Sequence, residues 1–502
     1  MNLADVLRIN AANHGERIAI VEAEETLTYT EAFSRVRSFA GQLRTAGASS
    51  GSRVGLAMKD HSTHLLAHFA VAYIGAIILP VDHRWTDPEK RGAARAFGID
   101  LLVTDGETLE GVPSLSLDAG HEALAETGEI AEASDAALLI SLSSGTTGRP
   151  KGALVTHENL YERFVSQWVA IGYDASDCFA LLTPLFFGAG RSFGMSMLTA
   201  GGTVLLAPPP LKPDEIVAAL SQPRVSATFL PPTLLRRLLP LHRDRALLAN
   251  LNYLIVSGEP LHAGEAAECL DKICPNIYSY YASSEGGGIS VLKAAEIRQH
   301  ADTVGQPTFR TDVEIVDDKG EVLPGGSVGR LRYRGPGVAR CFLDEDGRER
   351  SADTGGWFYP GDLAERLDNG MLALRGRDKD VIIRGGVNIY PAEIERCLQN
   401  LEGVAEVAVT RAARMASAAK WSSRLSRDPR SPTLRRSSTT VGNRWRRTRS
   451  HRSFAYSSSC RGGPRERSTN RPLAYEAQAM YSARFRHSAL SALRAAPVAE
   501  LH

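Results

Sequence analysis

At 502 residues the chain is longer than one hydrophobic core supports, so two or more domains of roughly 100–200 residues each are expected. Hydrophobic content of 43% and charged content of 23% are those of an ordinary globular protein, and the six cysteines form no CxxC pair or ligand cluster, which argues against a disulfide scaffold or a cysteine-built metal site. The net charge of +1 hides an asymmetry: residues 411–502 hold 20 basic and 4 acidic residues, net +16, whereas residues 1–410 hold 38 and 53, net −15.

In chain order, a short strand with a turn is expected at 27–30 (LTYT), followed by an amphipathic helix over 31–46 and a strand over 53–58. The apolar stretch 65–81 is interrupted by His68 and Pro80, so it reads as a buried helix running into a strand at 77–82 rather than a bilayer span. Further strands are expected at 101–105, 137–143, 203–208, 227–232 and 253–259, and their alternation with helices indicates parallel sheets covered on both faces. Short alternating strands with DKG and PGG turns over 313–337 indicate a small β-rich subdomain. A helix opened by Pro391, with Glu393 and Glu395 in its first turn, precedes a strand at 404–410, where the regular pattern stops. The first residues, MNLADVLRINAANHG, show no basic region leading into an apolar run, so a cytoplasmic setting is expected.

The segment 143–152, SSGTTGRPKG, leaves a buried strand and leads toward the His/Glu/Asn start of a helix. Glycines let backbone N–H groups approach phosphate oxygens, hydroxyls add donors, and Lys151 supplies a point charge, so the loop suits a polyphosphate. Pro150 before the lysine and Gly152 after it separate this loop from the GxxxxGK[ST] pattern. A plain surface linker is the blander reading, and the strand leading directly into the loop argues against it.

These residues resemble the adenylate-forming superfamily of acyl- and aryl-CoA synthetases, luciferases and nonribosomal-peptide adenylation domains. YASSE at 281–285, GWFYPGD at 356–362 and GRDKDVIIRGGVNIYPAEIE at 376–395 resemble further segments of that family in the family's order, and the resemblance spans about residues 1–412. It implies an α/β fold: a large N-terminal domain of two doubly wound sheets with a barrel-like β-rich subdomain (1–377, subdomain about 305–377), then an incomplete small α/β domain (378–412) and a basic tail (413–502).

It further implies that Ser143, Ser144, Gly145, Thr146, Thr147, Gly148 and Lys151 cradle the phosphates of ATP. Tyr281 would face the adenine, with the Gly258, Glu259 and Pro260 turn at the base edge; Ser284 would add a hydroxyl, and Asp362 and Arg377 would hold the ribose. Glu285 and Thr147 would bind Mg²⁺, and Lys379 would mark the hinge about which the small domain turns. Each residue alone has a bland reading as turn, solvated or core residue; their joint order favours function. The implied reaction is acyl-adenylate formation followed by transfer to coenzyme A, with loading of a carrier protein, or ATP holding without turnover, as alternatives. Phe186, Phe187 and Ser257 would line the acid pocket, with Gly286 and Gly287 leaving space. No Asp or Lys is placed to meet a second substrate charge, so a fatty or aromatic acid is expected.

Three positions depart from the family: Phe187 where many relatives have His, Ser284 for Thr, and Pro360 for the Thr of Thr-Gly-Asp. The tail departs most. Relatives continue with a late Pro-x-x-x-x-Gly-Lys segment that delivers a catalytic lysine, whereas residues 411–502 hold 19 Arg, one Lys (Lys420) and 16 Ser without lasting apolar periodicity. That composition suits an out-of-frame reading of a GC-rich gene; a basic arm for RNA or anionic membrane is the alternative.

Overall fold

A computed structural model describes residues 1–410 and 480–485, apart from residues 24, 121–128, 133–134, 144–150, 260, 262, 344–347, 352–354, 385–386 and 400–403. It divides into two compact units: Met1–Pro360 with Glu365–Ala373, and Gly361–Ala364 with Leu374–His502.

The first unit is built on two large sheets. One has nine strands in the spatial order Gln306–Pro307, Gly287–Leu292, Ile277–Ser283, Tyr253–Val256, Ala227–Leu230, Cys178–Leu181, Thr203–Leu206, Ile18–Glu22 and Glu25–Thr28. The other has eight: Glu349–Ser351, Cys341–Leu343, Lys151–Thr156, Ala137–Ser143, Ile77–Pro80, Arg53–Ala57, Leu101–Thr104 and Ser114–Leu115. The inner strands run parallel and are buried, as their unbroken Val, Leu and Ile runs require. The sheets are nevertheless mixed. Lys151–Thr156 lies antiparallel to Ala137–Ser143, and Gly287–Leu292 antiparallel to Ile277–Ser283, because connections of seven and three residues are too short for a parallel crossover.

Local chemistry sets the helix boundaries. The expected helix at 31–46 is observed as Tyr29–Thr45, because Thr28 and Glu31 form a reciprocal capping box that draws Tyr29 and Thr30 into the first turn. The apolar stretch is the buried helix Ser62–Tyr73 followed by the strand Ile77–Pro80, and no helix among the described residues is long and apolar enough to cross a membrane. The helix Gly188–Ala200 packs Phe193 between Phe179 and Phe229 of the nine-stranded sheet, with ring centroids 5.4 and 5.7 Å apart. Burial of each such ring contributes about 1.5–3 kcal/mol. The β-rich region contains the antiparallel hairpin Asp312–Val316 with Val328–Arg334. In the second unit, the helix Pro391–Gln399 precedes the strand Val404–Thr410, which pairs antiparallel with Met480–Phe485. Among the described residues, the tail thus contributes one strand that its composition did not signal.

Three histidines are buried uncharged. His64 and His68 stack with ring centroids 5.1 Å apart, and each Nε2 lacks a partner among the described residues; burial holds His64 well below the usual imidazole range and His68 at about 3, while burial brings His157 to about 4. Between pH 6.5 and about 4 the unfolded chain therefore binds protons that the folded chain refuses, so stability falls with acidity by roughly 1.4 kcal/mol per pH unit for each histidine. Thermal unfolding is expected to show a falling midpoint from pH 7 to pH 5, and a flatter slope in His68→Met. An unchanged slope in that variant would discount the imidazole.

Candidate functional site

The glycine- and hydroxyl-rich loop is held at the mouth of a hairpin. Ser143 ends one strand and Lys151 begins the next, and the two are direct partners in the ladder. The expected loop 143–152 is therefore shorter at both ends, and Ser144, Gly145, Thr146, Thr147 and Gly148 lie outside the described residues. Gly152 is required by packing: a Cβ there would stand 2.6 Å from Ile140 Cγ2. The second strand runs into Thr156, which caps the helix His157–Ile171 through a box with Asn159.

The turn between Ile277–Ser283 and Gly287–Leu292 carries Ser284, Glu285 and Gly286, and it is fastened from three sides. Ser283 Oγ accepts from the N–H groups of Glu285 (3.3 Å) and Gly286 (3.1 Å) and lies 2.5 Å from the Tyr333 hydroxyl. Ala339 N–H donates to the Glu285 carbonyl (2.9 Å). From the helix His157–Ile171, buried Arg163 donates to the carbonyls of Gly337 (2.8 Å), Ser284 (3.3 Å) and Glu285 (2.5 Å). The main chain of Glu285 is thus fixed. Its half-buried carboxylate forms no ion pair among the described residues. Tyr281 is half-buried on the adjoining strand, and Ser284 is exposed.

Sequence reasoning passed over Ser283, Tyr333 and Arg163. The signal for Arg163 is its position on the same helical face as Leu160, Phe164, Gln167 and Ile171, all buried.

Of the residues assigned to the acid pocket, Phe186 is half-buried beneath the Arg84 guanidinium, 5.1 Å from its ring centroid, and Phe187 is 58% exposed at the start of the helix Gly188–Ala200. The two rings meet edge to face at 6.2 Å. Ser257 is half-buried after the strand Tyr253–Val256; the turn continues through exposed Gly258, whose φ is +98° with open space around it, and exposed Glu259, which pairs with Arg236 at 3.1 Å. Pro260 lies outside the described residues. The expectation that Gly286 and Gly287 leave open space is corrected. A Cβ on Gly286 would fall 2.2 Å from the Tyr333 hydroxyl, and one on Gly287 2.8 Å from Arg163 Cγ, so these glycines admit neighbouring side chains.

Asp362, Arg377 and Lys379 belong to the second unit. Buried Asp362 accepts an ion pair from Arg377 Nε at 2.8 Å, and Asp378 N–H donates to the Gly361 carbonyl (3.0 Å), closing the segment around the pair. Lys379 is exposed in the short turn Asp378–Asp380.

The sequence model of the AMP-binding enzyme family matches residues 7–343, and the chain belongs to that family, in its acyl-CoA synthetase branch. It is 32% identical over 403 residues to a feruloyl-CoA synthase of an Amycolatopsis species, covering 78% of this chain and 82% of that one. It is 28% identical over 402 residues to 2-succinylbenzoate–CoA ligase of Bacillus licheniformis, covering 78% and 83%. Among solved structures, O-succinylbenzoate coenzyme A synthetase (MenE) from Bacillus subtilis in complex with ATP and magnesium ion matches with a TM-score of 0.73 at 25% identity, covering 82% of this chain and 87% of that one.

Proposed function

We propose that this chain ligates an aromatic carboxylic acid to coenzyme A through an acyl-adenylate, using ATP and Mg²⁺. The observation that carries this reading is the Glu285 turn: a main chain held by three hydrogen-bonded neighbours, Arg163, Ser283 and Ala339, presents a carboxylate with no ion-pair partner among the described residues. Such a carboxylate suits a hard divalent cation, and with Thr147 it would hold Mg²⁺, which when bound offsets phosphate charge. Lys151 and the loop hydroxyls would hold the phosphates, Tyr281 and the turn at Gly258 the adenine, and the Asp362–Arg377 pair the ribose. Phe186 and Phe187 would border the acid. An aromatic acid is favoured because the two relatives named above, a feruloyl-CoA synthase and a 2-succinylbenzoate–CoA ligase, are named for acids that carry a benzene ring.

In the first half-reaction a substrate carboxylate oxygen attacks the α-phosphorus, and the bond to the β-phosphate breaks to release pyrophosphate. In the second, the coenzyme A thiol gives up its proton, its sulfur attacks the acyl carbon, and AMP leaves. Two anions meet in the first step, so fixed positive charge matters more than proton transfer. The tail lacks the lysine segment of relatives, and we expect adenylation at least about 100-fold below that of an intact relative, the cost of losing one preorganised charge. Pyrophosphate release with a panel of acids, followed by mass measurement of thioesters, tests both points. Slow, acid-dependent release with aromatic acyl-CoA products is expected. Full-rate release would refute the impairment, and absence of both MgATP binding and acid-dependent release would refute the ligase reading.

A further inference from the structure

Two buried arginines contact the segments assigned to the acid pocket. Arg163 clamps the carbonyls of Ser284, Glu285 and Gly337, and its Cγ fills the space beside Gly287. Arg191, on the helix Gly188–Ala200, donates through Nη1 to the carbonyls of Leu185 (3.3 Å) and Phe186 (3.1 Å). Arg163 is 7% exposed and Arg191 5%, and neither forms an ion pair among the described residues. Glu285 draws on Arg163 electrostatically without making such a pair.

Burial lowers both guanidinium groups to about 10, and Arg163 further disfavours the charge on Arg191, so both remain cationic at neutral pH. Burying cations without ion-paired carboxylates is unfavourable, and main-chain carbonyls offset only part of the lost hydration. A purely structural clamp could use neutral donors. The retained charge would instead act across a low-dielectric wall, where its field is weakly screened.

Resting on the ligase reading above, we propose that Arg163, backed by Arg191, is a positioning residue that fixes the Glu285 turn and gives the acid pocket a built-in positive potential, selecting carboxylates over their uncharged analogues. The field acts on the approaching carboxylate without direct contact.

The test compares binding of ferulate and of its carboxamide to the full-length chain by calorimetry, with AMP present, in wild type, Arg163→Met, Arg163→Lys and Arg191→Met. Wild type is expected to prefer the carboxylate. Arg163→Met should lose about tenfold of the carboxylate affinity while leaving the amide unchanged, Arg163→Lys should retain most of the preference, and Arg191→Met should show a smaller loss in the same direction. Equal losses for acid and amide in each variant that folds, or an unchanged preference, overturn the inference alone. If Arg163→Met does not fold, the Arg163→Lys and Arg191→Met comparisons decide by the same criterion. A wild-type chain that binds neither probe overturns the ligase reading and this inference with it.

Discussion

Replacing Glu285 by Gln is expected to abolish the Mg²⁺-dependent part of ATP binding and to lower residual pyrophosphate release by a further 100-fold or so. The amide keeps the size of the side chain and one acceptor oxygen but removes the negative charge that a hard cation requires. The turn itself should survive. Its hydrogen bonds run through the main chain of Ser284, Glu285 and Gly286 to Arg163, Ser283 and Ala339, and none uses the Glu285 carboxylate. Nucleotide affinity in EDTA should therefore match wild type, and the thermal midpoint should move little. Equal Mg²⁺ enhancement in variant and wild type would remove Glu285 from the metal site.

Gly286→Ala is expected to cost about 3 kcal/mol of stability and to remove activity together with folding cooperativity near the turn. The new methyl group would meet the Tyr333 hydroxyl at 2.2 Å and its ring carbons at 2.6 and 2.7 Å. Tyr333 is fully buried, hydrogen-bonded to Ser283 and packed edge to face on Phe358 at 5.8 Å, so it has little room to withdraw. Combining Gly286→Ala with Tyr333→Phe removes the closest contact and should recover part of the loss in urea unfolding. Strict additivity of the two changes would show that the clash is not the cause.

The parallel strands were legible because each is a short apolar run bounded by polar or glycine residues, and the runs at 53–58, 101–105 and 137–143 all appear within a residue or two of the expected bounds. The strand Lys151–Thr156 was not. Its start shares a lysine and glycine with the phosphate-loop pattern, and its backbone geometry is set by pairing with Ala137–Ser143, which a local window does not contain. At the candidate site, residue types proposed the carboxylate, tyrosine and lysine, but not what holds the turn that carries the carboxylate. An arginine in an amphipathic helix ordinarily lies on the solvated face; helical spacing from Leu160, Phe164 and Gln167 hints that Arg163 faces inward, but the three carbonyls that it meets are distant in sequence and visible only in the fold. Consecutive glycines likewise do not distinguish an open cavity from one already filled by Tyr333 and Arg163.

The edge of the nine-stranded sheet also has a consequence for biogenesis. Ile20, Val21 and Glu22 pair with Val204, Leu205 and Leu206, and Leu3 N–H reaches His157 Nδ1 at 3.2 Å. On a ribosome adding about 5–20 residues per second, the opening strand waits roughly 10 to 40 s for its partner to emerge. Its apolar side chains are exposed for that interval, so yield on rapid overexpression should respond to chaperone supply more than to the stability of the finished sheet.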